Sequence, residues 1–158
     1  MRLQIGATMK SRVEEAVKTF ESGYNCAQSV FATYADLFGI DKETALKMSS
    51  SMGGGIGRMR EVCGVVSAMA LLAGLKEGNA DPDDEEAKEA IYLLTRQMAD
   101  KFKEKHQTII CRELLELPVT VPDPTPSKRT EEFYKARPWI RFVETAALIM
   151  ENVIESKE

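Results

Sequence analysis

The chain lacks any long hydrophobic run. Its longest apolar stretch, residues 65–75, contains Ser67 and Gly74 and is well short of the ~20 residues that a helix needs to cross a bilayer. Residues 1–6 do not begin an apolar segment followed by a small-residue cleavage site, so the sequence does not support secretion. We therefore expect no membrane span and a cytoplasmic protein in a reducing compartment.

Basic residues are also fewer than acidic ones. Lys and Arg number 21 against 25 Asp and Glu, which gives a formal net charge of -4 at pH 7. The basic residues are interleaved with acidic ones and form no stripe along the sequence. Because neutralisation of phosphates by Lys and Arg supplies most of the affinity for nucleic acids, this balance argues against nucleic-acid binding.

Cysteine is scarce. The chain contains 3 cysteines, an odd number, and only 1 histidine. None of the cysteines belongs to a Cys-x-x-Cys pair. A framework of permanent structural disulfides is therefore not expected, and the remaining uses are free thiols, a transient disulfide or metal ligation.

Helical periodicity is abundant. Apolar residues recur at helical spacing in successive segments, and capping residues such as Asn25 and Asp84 precede them. Residues 61–75 are apolar or small almost all the way round, which is typical of a central helix. We predict an all-α fold, a single-domain bundle of about six to eight helices around this central helix. Prolines between residues 118 and 126 predict an extended connector at about 117–127 within the single domain of residues 1–158.

The three cysteines share a predicted position at the start of a helix. Cys26 follows a predicted capping residue, Cys63 opens the central helix, and Cys111 comes three residues after Thr108, the predicted cap of a helix over 109–116. In the first turn, unpaired amides and the helix dipole stabilise a thiolate. Three arginines close in sequence would add positive charge: Arg58, Arg60 and Arg112. We predict that these cysteines are the catalytic residues and that their pKa values are lowered.

Two other interpretations of the cysteines stay open. A buried free cysteine can serve simply as a small hydrophobic residue. Alternatively, Cys26, Cys63 and Cys111, with His106 as a fourth ligand, are a candidate site for zinc or an iron–sulfur cluster. That set contains no closely spaced pair of ligands, and His106 lies in a Lys/Gln-rich stretch that is typical of an exposed side chain.

A glycine-rich segment precedes the predicted central helix. A loop of this kind, together with the helix after it, can bind an anion. The candidate residues for such a site are Gly53, Gly54, Gly55, Gly57 and Arg58. The segment lacks the Gly-Lys-Ser/Thr ending of a phosphate loop and the preceding strand of a dinucleotide-binding fingerprint. Glycines that permit a sharp turn and close helix packing are the alternative explanation.

Four motifs are similar to those of a known family. Residues 23–28 read Gly-Tyr-Asn-Cys-Ala-Gln, 53–58 read Gly-Gly-Gly-Ile-Gly-Arg, 63–64 read Cys-Gly, and 111–115 read Cys-Arg-Glu-Leu-Leu. With these motifs in this order, the chain resembles the C_GCAxxG_C_C family of redox-active proteins. The motifs span most of the length of the chain. The resemblance implies a thiol redox role based on four characteristic cysteines, with no established substrate.

The sequence departs from that family pattern in two places. Residues 63–68 read Cys-Gly-Val-Val-Ser-Ala, so Val65 and Ala68 replace the alanine and the last glycine of the Cys-Gly-Ala-x-x-Gly motif. The fourth cysteine is missing, and Trp139 is predicted to occupy its place. The loss of one thiol weakens a four-cysteine metal site more than it weakens a two-cysteine redox pair.

The leading hypothesis is a thiol-redox or redox-sensing protein in which two of the three cysteines form a reversible disulfide. Such a protein would have an activity like that of a thiol–disulfide oxidoreductase and would act with a redox partner protein. One alternative is a metal- or iron–sulfur-binding protein that uses the same thiols. Another is a non-enzymatic helical module that forms a homodimer through the apolar faces of its helices.

Overall fold

The computed structural model describes residues 9–117, 123–136 and 138–156. These residues form eight α-helices and two short 3-10 helices, Ala35–Phe38 and Ser50–Met52, with no β-strand among them. The α-helices are α1 (Val13–Glu21), α2 (Cys26–Tyr34), α3 (Lys42–Ser49), α4 (Gly64–Glu77), α5 (Glu85–His106), α6 (Cys111–Leu114), α7 (Glu131–Ala136) and α8 (Trp139–Glu155). The all-α prediction is confirmed. No helix in these ranges is both long enough and apolar enough to cross a bilayer.

The helices pack around one hydrophobic cluster. α4 contacts α2, α5 and α8, and α1 packs against α2 and α8. The buried residues of α4, including Val65, Met69 and Leu72, belong to a cluster that also contains side chains of α1, α2, α5 and α8. Because burial of each such side chain is worth about 1.5–3 kcal/mol, this cluster is the main source of stability.

Two predicted helix caps are present. Asn25 Oδ1 accepts the Gln28 N–H at 2.9 Å, and Gln28 Oε1 accepts the Asn25 N–H at 3.0 Å, which completes a capping box. At the start of α5, Asp84 Oδ1 accepts the Ala87 N–H at 2.9 Å. These bonds satisfy amides that a helix start leaves unpaired. The cap at Asn25 is therefore what makes Cys26 the first residue of α2.

Two predicted helix starts are wrong for the same reason. α4 begins at Gly64, three residues later than predicted, and α6 has Ile110 rather than Thr108 at its N-cap position. Val62 and Ile110 form an isolated antiparallel bridge, which keeps the residues before both helices extended. The Thr108 hydroxyl instead accepts the Ile110 N–H at 3.1 Å.

Part of the predicted proline-rich connector is described. Residues 118–122 lie outside the described residues, and residues 123–130 contain no helix. Arg129 attaches this segment to the bundle, because its guanidinium donates to the carbonyls of Phe20 and Tyr24. The single domain over residues 1–158 and the homodimer stay predictions.

A buried polar contact joins α2 and α8 to the residue that precedes α1. The Glu151 carboxylate, which is buried, accepts the Tyr34 hydroxyl and also accepts the Arg12 backbone N–H at 2.8 Å. Burial, and then the hydrogen bond to Glu151, raise the pKa of Tyr34 above its ordinary value. The hydroxyl therefore stays protonated and remains the donor.

Candidate thiol site and its cavity

The three cysteines lie at the starts of three helices. Cys26 and Cys111 are the first residues of α2 and α6, and Cys63 is the N-cap residue of α4. All three are free thiols, and the exposed fractions of Cys26, Cys63 and Cys111 are 6%, 4% and 3%. A partner molecule can therefore reach them only through an opening in the surrounding packing.

Backbone pairing fixes Cys63 beside Cys111. The Cys63 N–H donates to the Ile109 carbonyl at 2.8 Å, and the Cys111 N–H donates to the Glu61 carbonyl at 2.6 Å. These two bonds lie on either side of the antiparallel bridge. The starts of α4 and α6 are consequently held side by side.

A glycine brings the start of α2 to the same place. A Cβ atom at Gly64 would lie 3.1 Å from the Ala27 nitrogen and 3.0 Å from the Met52 carbonyl oxygen. A larger residue at this position would therefore crowd α2. Because Gly64 and Ala27 directly follow Cys63 and Cys26 in the chain, this close approach also brings those two cysteines together.

The three sulfur atoms lie within electrostatic range of one another. Burial raises the pKa of Cys26 well above its ordinary value of 9.0, and the charges of Cys63 and Cys111 raise it further, whereas Arg129 lowers it. Burial also raises the pKa of Cys63 to about 12, despite backbone hydrogen bonds that lower it, and the charge of Cys111 adds to the rise. Ionisation of Cys63 would therefore disfavour ionisation of Cys26.

The predicted lowering of the pKa values is wrong for Cys26 and Cys63. A helix start offers amide donors and partial positive charge, but the two thiols are almost completely removed from water. Loss of hydration disfavours the thiolate more than the helix start stabilises it. Both thiols are consequently protonated at neutral pH.

Arg60 lies against Cys111. Its Nη1 donates to Cys111 Sγ at 3.7 Å, and the whole residue is only 7% exposed. Arg60 is thus a buried cation in direct contact with one sulfur of the cluster. Arg112, which the sequence also suggested as a source of positive charge, instead forms an ion pair with Glu61 at 2.7 Å.

The glycine-rich loop forms hydrogen bonds within its own backbone. The N–H groups of residues 56–61 donate to carbonyls of residues 51–56, so these amides are not available to a ligand. A Cβ at Gly53 would lie 2.5 Å from Asn25 Nδ2, and a Cβ at Gly55 would lie 2.7 Å from Cys111 Cβ. Close packing therefore explains these two glycines, in agreement with the alternative explanation of the motif.

A cavity of about 530 Å³ opens beside Cys26. Of the three cysteines, all within the described residues, only Cys26 lines it. The loop contributes Gly53, Gly54 and Gly57 to the lining. Three arginines border the cavity: Arg58, Arg60 and Arg129. Aromatic side chains form an apolar part of its wall: Phe20, Phe133 and Trp139.

Of two important residues in this wall, the sequence pointed to only one. Arg129 was not predicted as a site residue, because a single arginine after a proline-rich segment carries no local signal that it reaches Cys26. Trp139 was predicted to occupy the place of the fourth cysteine of the family. It lines the same cavity as Cys26.

His106 does not join the cysteines. Its Nε2 lies 2.8 Å from Thr145 Oγ1, and its ring centroid lies 4.7 Å from that of Phe102 and 4.9 Å from that of Phe142. Across residues 9–117, 123–136 and 138–156, no three His, Cys, Asp or Glu side chains form a group that could hold a metal ion. The predicted four-residue metal set is therefore not assembled in these ranges, because His106, the last residue of α5, packs against α8.

Comparison with known families gives one match. A family model described as "Putative redox-active protein (C_GCAxxG_C_C)" matches residues 24–153, a span that includes all three cysteines. No curated protein and no solved structure matches the chain. The match extends over well more than half of the sequence. The chain therefore belongs to the C_GCAxxG_C_C family.

Proposed function

We propose that this chain is a thiol–disulfide redox protein in which two of Cys26, Cys63 and Cys111 form a reversible disulfide. One observation carries the proposal: three thiols from remote stretches of the chain lie within electrostatic range of one another at the starts of three helices. Membership of a redox-active family supports the same chemistry. Cys26 also lines a cavity that three arginines border.

Cys26 is the proposed point of entry for a partner molecule. It is the cysteine that lines the cavity, so an approaching sulfur atom meets it first. The positive charge of Arg129 also partly offsets the effect of burial on its pKa. Cys63 and Cys111, whose charges act on Cys26, are the candidates for the second thiol of the disulfide.

The proposed reaction consumes a disulfide bond of the partner. The Cys26 sulfur loses its proton and attacks one partner sulfur, the partner S–S bond breaks, and the released thiolate takes up a proton. A second thiol of the cluster then loses its proton and attacks the Cys26 sulfur of the mixed disulfide, which releases the other partner sulfur as a thiol. Two protein thiols are oxidised, and one partner disulfide is reduced to two thiols.

Differential alkylation read by intact mass tests the proposal. Reduced protein that is unfolded in excess alkylating agent should take up three alkyl groups, one for each free thiol. Protein first equilibrated with an oxidised low-mass disulfide should take up only one, and treatment with a thiol reductant should restore three. Three alkyl groups in both states would contradict a reversible bridge.

Single alanine replacements identify the pair and serve as controls for one another. In Cys26→Ala the bridge should be lost, so both remaining thiols are alkylated in the reduced and in the oxidised sample. Either Cys63→Ala or Cys111→Ala should keep the bridge, and that variant identifies the spare thiol. If Cys26→Ala keeps a disulfide, the assignment of Cys26 as the entry thiol is wrong.

A further inference from the structure

The guanidinium of Arg58 is fixed at the edge of the cavity by neutral acceptors. Its Nη1 donates to the Asp123 carbonyl at 2.6 Å, and its Nη2 donates to Ser127 Oγ at 2.8 Å. Hydrogen bonds from Thr125, and then the charge of Arg58, lower the pKa of the Asp123 carboxyl. That carboxylate is exposed and accepts the Thr125 N–H, so solvent screens its attraction to Arg58.

Arg129 is held in a similar way on another part of the wall. Its two terminal nitrogens donate to the Phe20 carbonyl at 3.3 Å and to the Tyr24 carbonyl at 2.9 Å. Its guanidinium carbon lies 4.6 Å from the ring centroid of Phe20 and 4.8 Å from that of Phe133. Stacking on the rings restricts the side chain without cancelling its charge, so a ligand would meet a preorganised cation.

Within the described residues, no ion pair neutralises the positive charge of this wall. No Asp or Glu of the described ranges forms an ion pair with Arg58, Arg60 or Arg129, whereas Arg12 and Arg112 each pair with a carboxylate at 2.7 Å. Arg58 and Arg129 are half-buried, and Arg60 is buried. A concave site with charge of one sign therefore attracts a ligand of the opposite sign.

We propose that this cavity binds a small organic oxyanion. Its carboxylate or phosphate group lies between the guanidinium groups of Arg58 and Arg129, and its apolar part packs on Phe133 and Trp139. The volume of about 530 Å³ falls in the ordinary range of small-molecule sites. This site goes beyond the proposed redox function, since binding requires no sulfur chemistry, although a bound ligand would cover Cys26.

Isothermal titration of the wild-type protein with three matched probes tests the chemistry of the ligand. The probes are phenyl phosphate, benzoate and the neutral benzyl alcohol. At least one charged probe should bind with one molecule per chain, and the tighter of the two identifies phosphate or carboxylate as the preferred group. Absence of binding by both charged probes, or equally tight binding of benzyl alcohol, would overturn the proposal.

Arginine variants test the position of the charged group. Arg58→Gln and Arg129→Gln should each weaken binding of the tighter probe by about tenfold or more, because each removes a charged hydrogen-bond donor. Arg96→Gln removes an equal charge from an exposed position on α5 outside the cavity and should leave the affinity unchanged. Arg58→Lys keeps the charge and should bind more tightly than Arg58→Gln. An equal loss in Arg96→Gln would show that only overall charge matters and would overturn the assignment.

Alkylation of Cys26 in the folded protein provides an independent measurement. A saturating probe should slow modification of Cys26 several-fold, as read by peptide mapping, and should leave Cys63 and Cys111 unaffected. An unchanged rate at Cys26 would place the ligand elsewhere. Binding should persist in Cys26→Ala, so a failure of the redox proposal and a failure of this site remain distinguishable.

Discussion

The sulfur of Cys63 sits at the start of α4 with 4% of the residue exposed. Removal of water from a thiolate costs much more than removal of water from a neutral thiol, and the pKa of Cys63 rises to about 12 as a result. Burial raises the pKa of Cys26 in the same way. Cys26 and Cys63 therefore hold their sulfur in the protonated form, which slows any reaction that needs a thiolate until the proton is removed.

The folded protein should lose stability as the pH rises above 9.0. The pKa of Cys63 is 9.0 when unperturbed and about 12 in the fold, so the unfolded chain releases this proton first. The stabilisation is complete below the lower value and is lost as the pH rises toward the higher one. For one such group, linkage gives a loss of about 1.4 kcal/mol per pH unit. Urea unfolding under reducing conditions should show a shallower decline for Cys63→Ala, and equal slopes would contradict the inferred titration.

Among the larger elements, the glycine-rich loop supports Cys111 as well as leading into α4. Gly55 and Gly57 both have positive φ, 73° and 54°. Their surroundings differ: a Cβ at Gly55 would lie 2.7 Å from both Cys111 Cβ and the Glu61 nitrogen, whereas a Cβ at Gly57 would meet nothing closer than 4.0 Å. A side chain at Gly57 would therefore introduce backbone strain alone, whereas a side chain at Gly55 would introduce both strain and a packing clash.

Gly55→Ala should be more destabilising than Gly57→Ala. Both substitutions place a side chain in the left-handed region, which costs about 1–2 kcal/mol. Gly55→Ala also forces the loop away from Cys111, which adds about 1–3 kcal/mol for overpacking. Urea denaturation of the two variants under reducing conditions measures the difference, and equal losses would mean that the loop is not packed against the cysteine.

Helix formation was predictable because its signals are local. The cap at Asn25 and the apolar spacing lie within a few residues of the helices that they define. The start of α6 was predicted wrongly, since Val62 reaches it from a remote part of the chain. Arg129 was missed for the same reason. The cysteines could be singled out from sequence, but their pKa values could not, because burial is a property of the tertiary structure.

Across the whole molecule, Glu151 links the first and last helices of the described bundle. Its carboxylate is buried on α8, where it accepts the Tyr34 hydroxyl of α2 and the N–H of Arg12, the residue before α1. A buried carboxylate depends on such donors, because it has lost its contact with water. This contact therefore couples α8 to α1 and α2, two helices that lie more than one hundred residues earlier in the sequence.

Tyr34→Phe should destabilise the protein by about 1–3 kcal/mol, since it leaves the buried Glu151 carboxylate with one donor fewer. Tyr92→Phe is the matched control. Tyr92 is 68% exposed, so loss of its hydroxyl should change the free energy of unfolding by less than about 0.5 kcal/mol. Urea unfolding at neutral pH compares the two, and similar effects would show that the contact with Glu151 contributes little.

The backbone hydrogen bonds that join the segments before α4 and α6 also bear on how a change at sulfur could be detected. The amides of Cys63 and Cys111 each donate to a carbonyl of the opposite segment, so under the proposed function oxidation of either sulfur would act on two segments that the backbone already holds together. Such a change should then be detected by its chemistry, as a lost alkylation, rather than by separation of the two segments.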